Sequence, residues 1–91
     1  MSTASAEVTI VNRLGLHARA AAALVKVAGR FASKIELVNE PRRADAKSIM
    51  AVMVLAATQG TTLSLSAQGE DAEQAVAAVT ALIADRFGEN E

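Results

Sequence analysis

Two hydrophobic periods alternate along this chain, and the points where one gives way to the other mark out its elements. Val8 and Ile10 alternate with Glu7 and Thr9, a period of two that predicts a short strand over about residues 7–12 with one buried face. From His17 to Gly29 the period lengthens. Ala21, Leu24, Val25 and Ala28 then share one helical face, and Gly29 is placed to end the helix. Ile35 and Leu37 alternate with Lys34 and Glu36, giving a strand over 34–39, and Asn39-Glu40-Pro41 is a turn signal. Residues 42–47 can pair back as a short polar strand at a sheet edge.

Ser48 is a favoured N-cap, so a second helix should run over about 49–57, with no breaker before Gly60. Residues 61–67 alternate cleanly, with Leu63, Leu65 and Ala67 on one side and Thr62, Ser64 and Ser66 on the other. That is the clearest strand. The clearest helix runs over about 71–87, where Ala72, Ala75, Val76, Val79, Leu82, Ile83 and Phe87 recur at helical spacing. The order β-α-β-β-α-β-α implies an α+β fold, an open-faced sandwich with three helices on one face of a four-stranded, mainly antiparallel sheet. The other face of the sheet meets water.

The chain has 91 residues, which suits a single domain spanning 1–91. Residues 1–6 are small and polar, with neither a basic start nor a following apolar run, and read as a loose tail. Twenty-one alanines let the helices approach the sheet closely, since two phenylalanines supply all the aromatic bulk. The absence of cysteine excludes disulfides and thiolate metal sites, and a single histidine cannot build a zinc or copper centre. No metal or cofactor is therefore expected. Apolar runs are too short to span a bilayer, which needs about 20 residues, so no membrane insertion is expected and the cytoplasm is the default location.

Net charge is −1, which argues against a general nucleic-acid binder, yet the charges are unevenly distributed. Residues 8–54 carry eight Lys or Arg against three acids, whereas residues 55–91 carry one Arg against six acids. The basic half holds the histidine. This is either a docking face for an acidic partner or chance clustering on a solvated surface.

That histidine lies in Gly15-Leu16-His17-Ala18-Arg19. If Gly15 lets the backbone turn, with Ala18 also supporting the turn, and His17 sits at the helix cap, the free N–H groups of the first turn face the space beside the imidazole. Such a space suits an anion. The positive end of the helix also favours neutral, nucleophilic imidazole, and then a dianionic phosphoryl group attached to it. Arg19 adds a forked cation able to pair with phosphoryl oxygens while charge moves between donor and acceptor. A lone histidine at a helix start is more often only a cap or a surface residue, and spacing alone leaves both readings open.

The stretch VNRLGLHARAAA resembles the active-site segment of the HPr phosphocarriers of the bacterial phosphotransferase system, and AKSIMAVMVLAA resembles that family's second signature. The two stand at the family's mutual spacing, and the likeness covers about residues 8–87. It implies that His17 is phosphorylated on ring Nδ1 by phospho-enzyme I and passes the group to a histidine of an enzyme IIA protein or domain. It also implies that Arg19 lies beside the phosphoryl group. By the same resemblance Ser48 is a site for an ATP-dependent HPr kinase/phosphorylase. Ile49, Met50 and Met53 match an apolar patch that docks partners, and a monomer is expected.

A helix of Ile, Met, Val and Leu must bury something, and ordinary core is the competing reading of those three residues. Val52 and Leu55 can face the sheet and leave Ile49, Met50 and Met53 over. One departure is Ala20, where the family usually carries proline. Ala20 keeps its N–H and still supports a helix, with a less rigid first turn. Three readings follow from these residues: a phosphocarrier in sugar uptake or in a nitrogen-linked branch, a regulatory relative acting mainly through Ser48, and an anion-binding module in which His17 only caps.

Overall fold

The computed structural model describes residues 2–91. Its strands are β1 (Ser2–Thr9), β2 (Lys34–Asn39), β3 (Arg42–Asp45) and β4 (Thr62–Gly69). The helices are α1 (Ala18–Ala28), α2 (Ile49–Val54) and α3 (Ala72–Ala84), and a short 3-10 turn follows at Arg86–Gly88. The strands form one sheet in the order β1-β4-β2-β3, and every neighbouring pair is antiparallel. The expected α+β open-faced sandwich is the observed one.

Register explains the single buried face. Ala6 pairs with Leu65, Leu65 with Leu37 and Leu37 with Ala44, so one row of side chains crosses all four strands. Leu65, Leu37 and Ala44 in this row are buried. The flanking residues Glu7, Ser64 and Gln68 point to solvent from the opposite face. α3 lies over β1 and β4, α2 packs beside β3, and α1 meets both other helices. Ala20, Ala21 and Ala28 of α1 and Ala72 and Ala75 of α3 are buried, which is where small side chains allow close approach.

The residues expected to form a loose tail belong instead to β1, which starts at Ser2 and pairs with β4 as far as Gly69; Met1 lies outside the described residues. The reason is backbone pairing. Without this strand β4 would be a long unpaired edge, and Ala4 packs against the core there. β1 also stops earlier than expected, at Thr9, after which Asn12 is fully buried.

Two helices are shorter than their patterns suggest. α2 ends at Val54 rather than continuing to 57, and Ala56 takes a left-handed conformation with φ of 52°. α3 ends at Ala84, and Arg86 and Phe87 are left-handed at φ 58° and 56°. Phe87 thereby turns back into the core rather than extending the helix. At the other end of α3 the Asp71 carboxylate accepts from the Ser33 hydroxyl and from the N–H groups of Ala32 and Ser33. These bonds, the Ser33 hydroxyl first, hold its carboxyl below the usual range and tie α3 to the start of β2.

Candidate functional site

The turn leading into α1 is built on Gly15. Its φ is +69°, and an added Cβ would lie 2.6 Å from the Ala57 carbonyl oxygen and 3.0 Å from Thr58 Cα. Only glycine fits both constraints. The next N–H, of Leu16, donates to the same Ala57 carbonyl at 2.9 Å, and the Leu16 side chain is buried. With its neighbour anchored on the segment after α2, His17 remains at the surface with 29% of its side chain exposed.

His17 caps α1. Its backbone is extended, with φ −77° and ψ 177°, and its carbonyl accepts from Ala21 N–H at 2.9 Å. The ring Nδ1 accepts from Arg19 N–H at 3.3 Å. No acidic side chain stands in the first turn, so the positive end of the helix is uncompensated from within α1. α1 begins at Ala18, one residue after the expected start at His17, and Ala20 is buried in its first turn.

The opposite ring nitrogen meets a residue not singled out above. Nε2 lies 2.5 Å from Glu89 Oε2, while Glu89 Oε1 accepts from Asn12 Nδ2 at 3.0 Å. Asn12 Nδ2 also donates to the Gly15 carbonyl at 2.8 Å. Since both partners of this amide are acceptors, its orientation is fixed by chemistry. A carboxylate at Nε2 and an N–H at Nδ1 likewise assign the neutral ring: the proton on Nε2, the lone pair on Nδ1. Partial burial pushes the Glu89 carboxyl up. Hydrogen bonds from Asn12 and His17, with the charges of His17 and Arg19, outweigh burial and hold it below the ordinary range.

An open cleft of about 470 Å³ lies beside the ring, lined by Arg13, Leu14, His17, Arg19, Phe87 and the last four residues. Arg13 is occupied. Its Nε pairs with Glu91 at 3.2 Å, and its N–H donates to the Glu91 carbonyl. Arg19 is exposed and enters none of the ion pairs among the described residues, which leaves its guanidinium available to the cleft. Among the described residues no cluster of histidine and acids could hold a metal ion, and no helix is long and apolar enough to cross a membrane.

A cap histidine with its Nδ1 lone pair at a helix N-terminus, next to an arginine outside the ion pairs of the described residues, suits a phosphoryl group on any fold. The family comparison decides its ancestry: the model described as the PTS HPr component phosphorylation site matches residues 4–85. The chain belongs to the HPr family. It is 52% identical to the phosphocarrier protein HPr of Cupriavidus necator over 93% of this chain and 96% of that protein. The Pseudomonas aeruginosa HPr is 51% identical with the same coverage of both. The crystal structure of an HPr from Thermoanaerobacter tengcongensis superposes with a TM-score of 0.92 at 41% identity, covering 97% of this chain and 99% of that one. HPr proteins are phosphocarriers of the phosphotransferase system rather than catalysts.

The second stretch that resembles the HPr family, AKSIMAVMVLAA, contains α2. Ser48 Oγ accepts from Ala51 N–H at 3.2 Å, so this serine caps the helix in fact as well as in pattern. Val52 and Leu55 are buried, whereas Ile49 and Met53 are each 42% exposed and Met50 is 80% exposed. The apolar surplus is therefore at the surface. Val54 and Leu14 are also exposed, and both escaped the sequence reading. The Leu16–Ala57 bond and the close approach at Gly15 join the end of the α2 segment to the turn that carries His17.

Proposed function

We propose that this HPr accepts a phosphoryl group on His17 Nδ1 from phospho-enzyme I and delivers it to a histidine of an enzyme IIA protein or domain, in the cytoplasm. The carrying observation is the acceptor role of Nδ1 toward Arg19 N–H, which puts the ring lone pair at the open end of α1. In the transfer that lone pair attacks phosphorus in line with the donor nitrogen. The donor P–N bond breaks, and its electron pair returns to the donor ring.

The geometry lowers the barrier by charge placement. Arg19 and the first-turn N–H groups meet oxygens whose negative charge is spread out during transfer, and neither has to reorganise far. Ser48 is read as a regulatory phosphorylation site for an HPr kinase/phosphorylase, and Ile49, Met50 and Met53 as the surface that docks partners. Exposed apolar area of this kind is what a transient protein contact buries.

Incubating the protein with enzyme I and phosphoenolpyruvate tests the reading. The expected product carries one acid-labile, base-stable phosphate on His17, with phosphorus NMR assigning it to Nδ1. Protein that stays unlabelled beside an active enzyme I and a labelled control HPr overturns the proposal.

A further inference from the structure

The chain after α3 is shaped to reach the imidazole. Arg86, Phe87 and Gly88 are left-handed in succession, at φ 58°, 56° and 79°. A left-handed conformation is strained for a residue with a Cβ. Burial of the Phe87 ring offsets this strain, and Gly88 N–H and Glu89 N–H close the hook on the carbonyls of Asp85 and Arg86 at 3.0 and 2.9 Å. The hook delivers Glu89 to the Nε2 edge of the ring, away from the Nδ1 edge that meets α1.

Glu89 is held from two sides. His17 Nε2 binds Oε2, and the fully buried Asn12 binds Oε1 while its other amide hydrogen is spent on the Gly15 carbonyl. The turn that fixes His17 and the tail that meets it are thus locked through one buried amide. A carboxylate needed only for solubility would not be so anchored.

We propose that Glu89 is the positioning residue of His17, holding the proton on Nε2 throughout the cycle so that Nδ1 alone is the nucleophile. This rests on the phosphocarrier reading. In free protein the contact selects the tautomer whose lone pair is on Nδ1, at the first turn of α1. Once Nδ1 carries the phosphoryl group, a ring that keeps its Nε2 proton is a cation, and the Glu89 carboxylate lies against that charge. On delivery the P–N bond breaks with its pair returning to Nδ1, and the leaving ring is neutral because Nε2 never lost its proton. Without the carboxylate the proton is free to move to Nδ1, which removes the nucleophile, or to leave the phosphorylated ring, which makes it a poorer leaving group. The charged groups facing this ring nitrogen site are Glu89 itself, Arg19 from α1 and the Arg13–Glu91 pair across the cleft.

The test reads the ring before it reads transfer. Nitrogen-15 NMR of the neutral ring at about pH 9 is expected to show the Nε2–H form in wild type. In Glu89→Gln a substantial Nδ1–H population is expected, with Glu89→Asp between the two, and Glu73→Gln, which removes an exposed carboxylate from the first turn of α3 outside the cleft, unchanged. Acceptance from phospho-enzyme I should slow on the order of 10-fold in Glu89→Gln, because part of the ring is in the wrong form and the product cation lacks its partner. A Glu89→Gln ring with wild-type tautomer shifts overturns the proposal, as does a Glu73→Gln ring that shifts equally. Failure of wild type to accept phosphate overturns the phosphocarrier reading instead, and the tautomer spectra still decide what Glu89 does to the ring.

Discussion

α1 and α2 both begin with a side chain that caps the helix, and they differ in everything around the cap. His17 at α1 is flanked by Arg19, closed from behind by Glu89, and faces an open polar cleft. Ser48 at α2 accepts one N–H and has Ile49 and Met50 beside it, with no acid in the first turn. The same helix-end electrostatics act at both places. At α1 they meet a nitrogen lone pair, which suits transfer. At α2 they meet a hydroxyl beside apolar surface, which suits docking and its interruption. A helix N-terminus is thus only a field, and the neighbouring groups decide whether it becomes chemistry or contact.

His17→Ala gives the largest expected effect on this contrast. Phosphoryl acceptance should disappear, because no other side chain lining this cleft supplies a neutral nitrogen nucleophile. Losing the cap costs about 1 kcal/mol, a small part of the roughly 5–15 kcal/mol that stabilises an ordinary domain, so the variant should remain folded by circular dichroism. Labelling of folded His17→Ala by phospho-enzyme I would remove the α1 site from the mechanism. Arg19→Ala comes next. Transfer should slow by about 10-fold or more while binding to unphosphorylated enzyme I changes little, since the guanidinium gains most when charge is in transit. Equal single-turnover rates for the two proteins would leave the contrast resting on His17 and the helix field alone.

How much of this contrast could be read from the chain depends on sequence distance. His17, Arg19 and Gly15 lie within five residues, so a turn, a cap and a cation could be inferred together. Ser48 and the surplus of Ile49, Met50 and Met53 were similarly local, because Val52 and Leu55 satisfy the core at helical spacing. Glu89 was not local. It lies 72 residues from His17 in a polar tail whose composition reads as solvent-facing, and its placement depends on the left-handed hook that interrupts the pattern before Phe87. The signal available was Asn12, a polar residue at the end of an apolar strand, buried with an amide that needs acceptors. Likewise the pairing of Ser2–Ala6 was hidden because an edge strand of Ser, Thr and Ala carries little hydrophobic pattern, and backbone bonds to β4 decide its state.

The smallest expected effect concerns Ser48, and it sharpens the comparison by adding charge at the second cap. A phosphate on this serine carries about −1.5 to −2 at neutral pH and would sit on the positive end of α2, which tolerates it. The fold should therefore stay intact or gain slightly. Docking is another matter, because Ile49 and Met50 follow directly and a contact that buries them must also desolvate the new charge. Affinity for enzyme I should drop by about 5-fold, and Ser48→Asp, with less charge, should lower it less. His17 should remain chemically competent at saturating enzyme I, since the α1 cleft and its Glu89 contact do not involve Ser48. Titrating enzyme I with wild-type and Ser48-phosphorylated protein at matched ionic strength measures this. Equal affinities would mean that the apolar patch around Ile49 and Met50 is not what enzyme I covers, and Ser48 would then be a cap like any other.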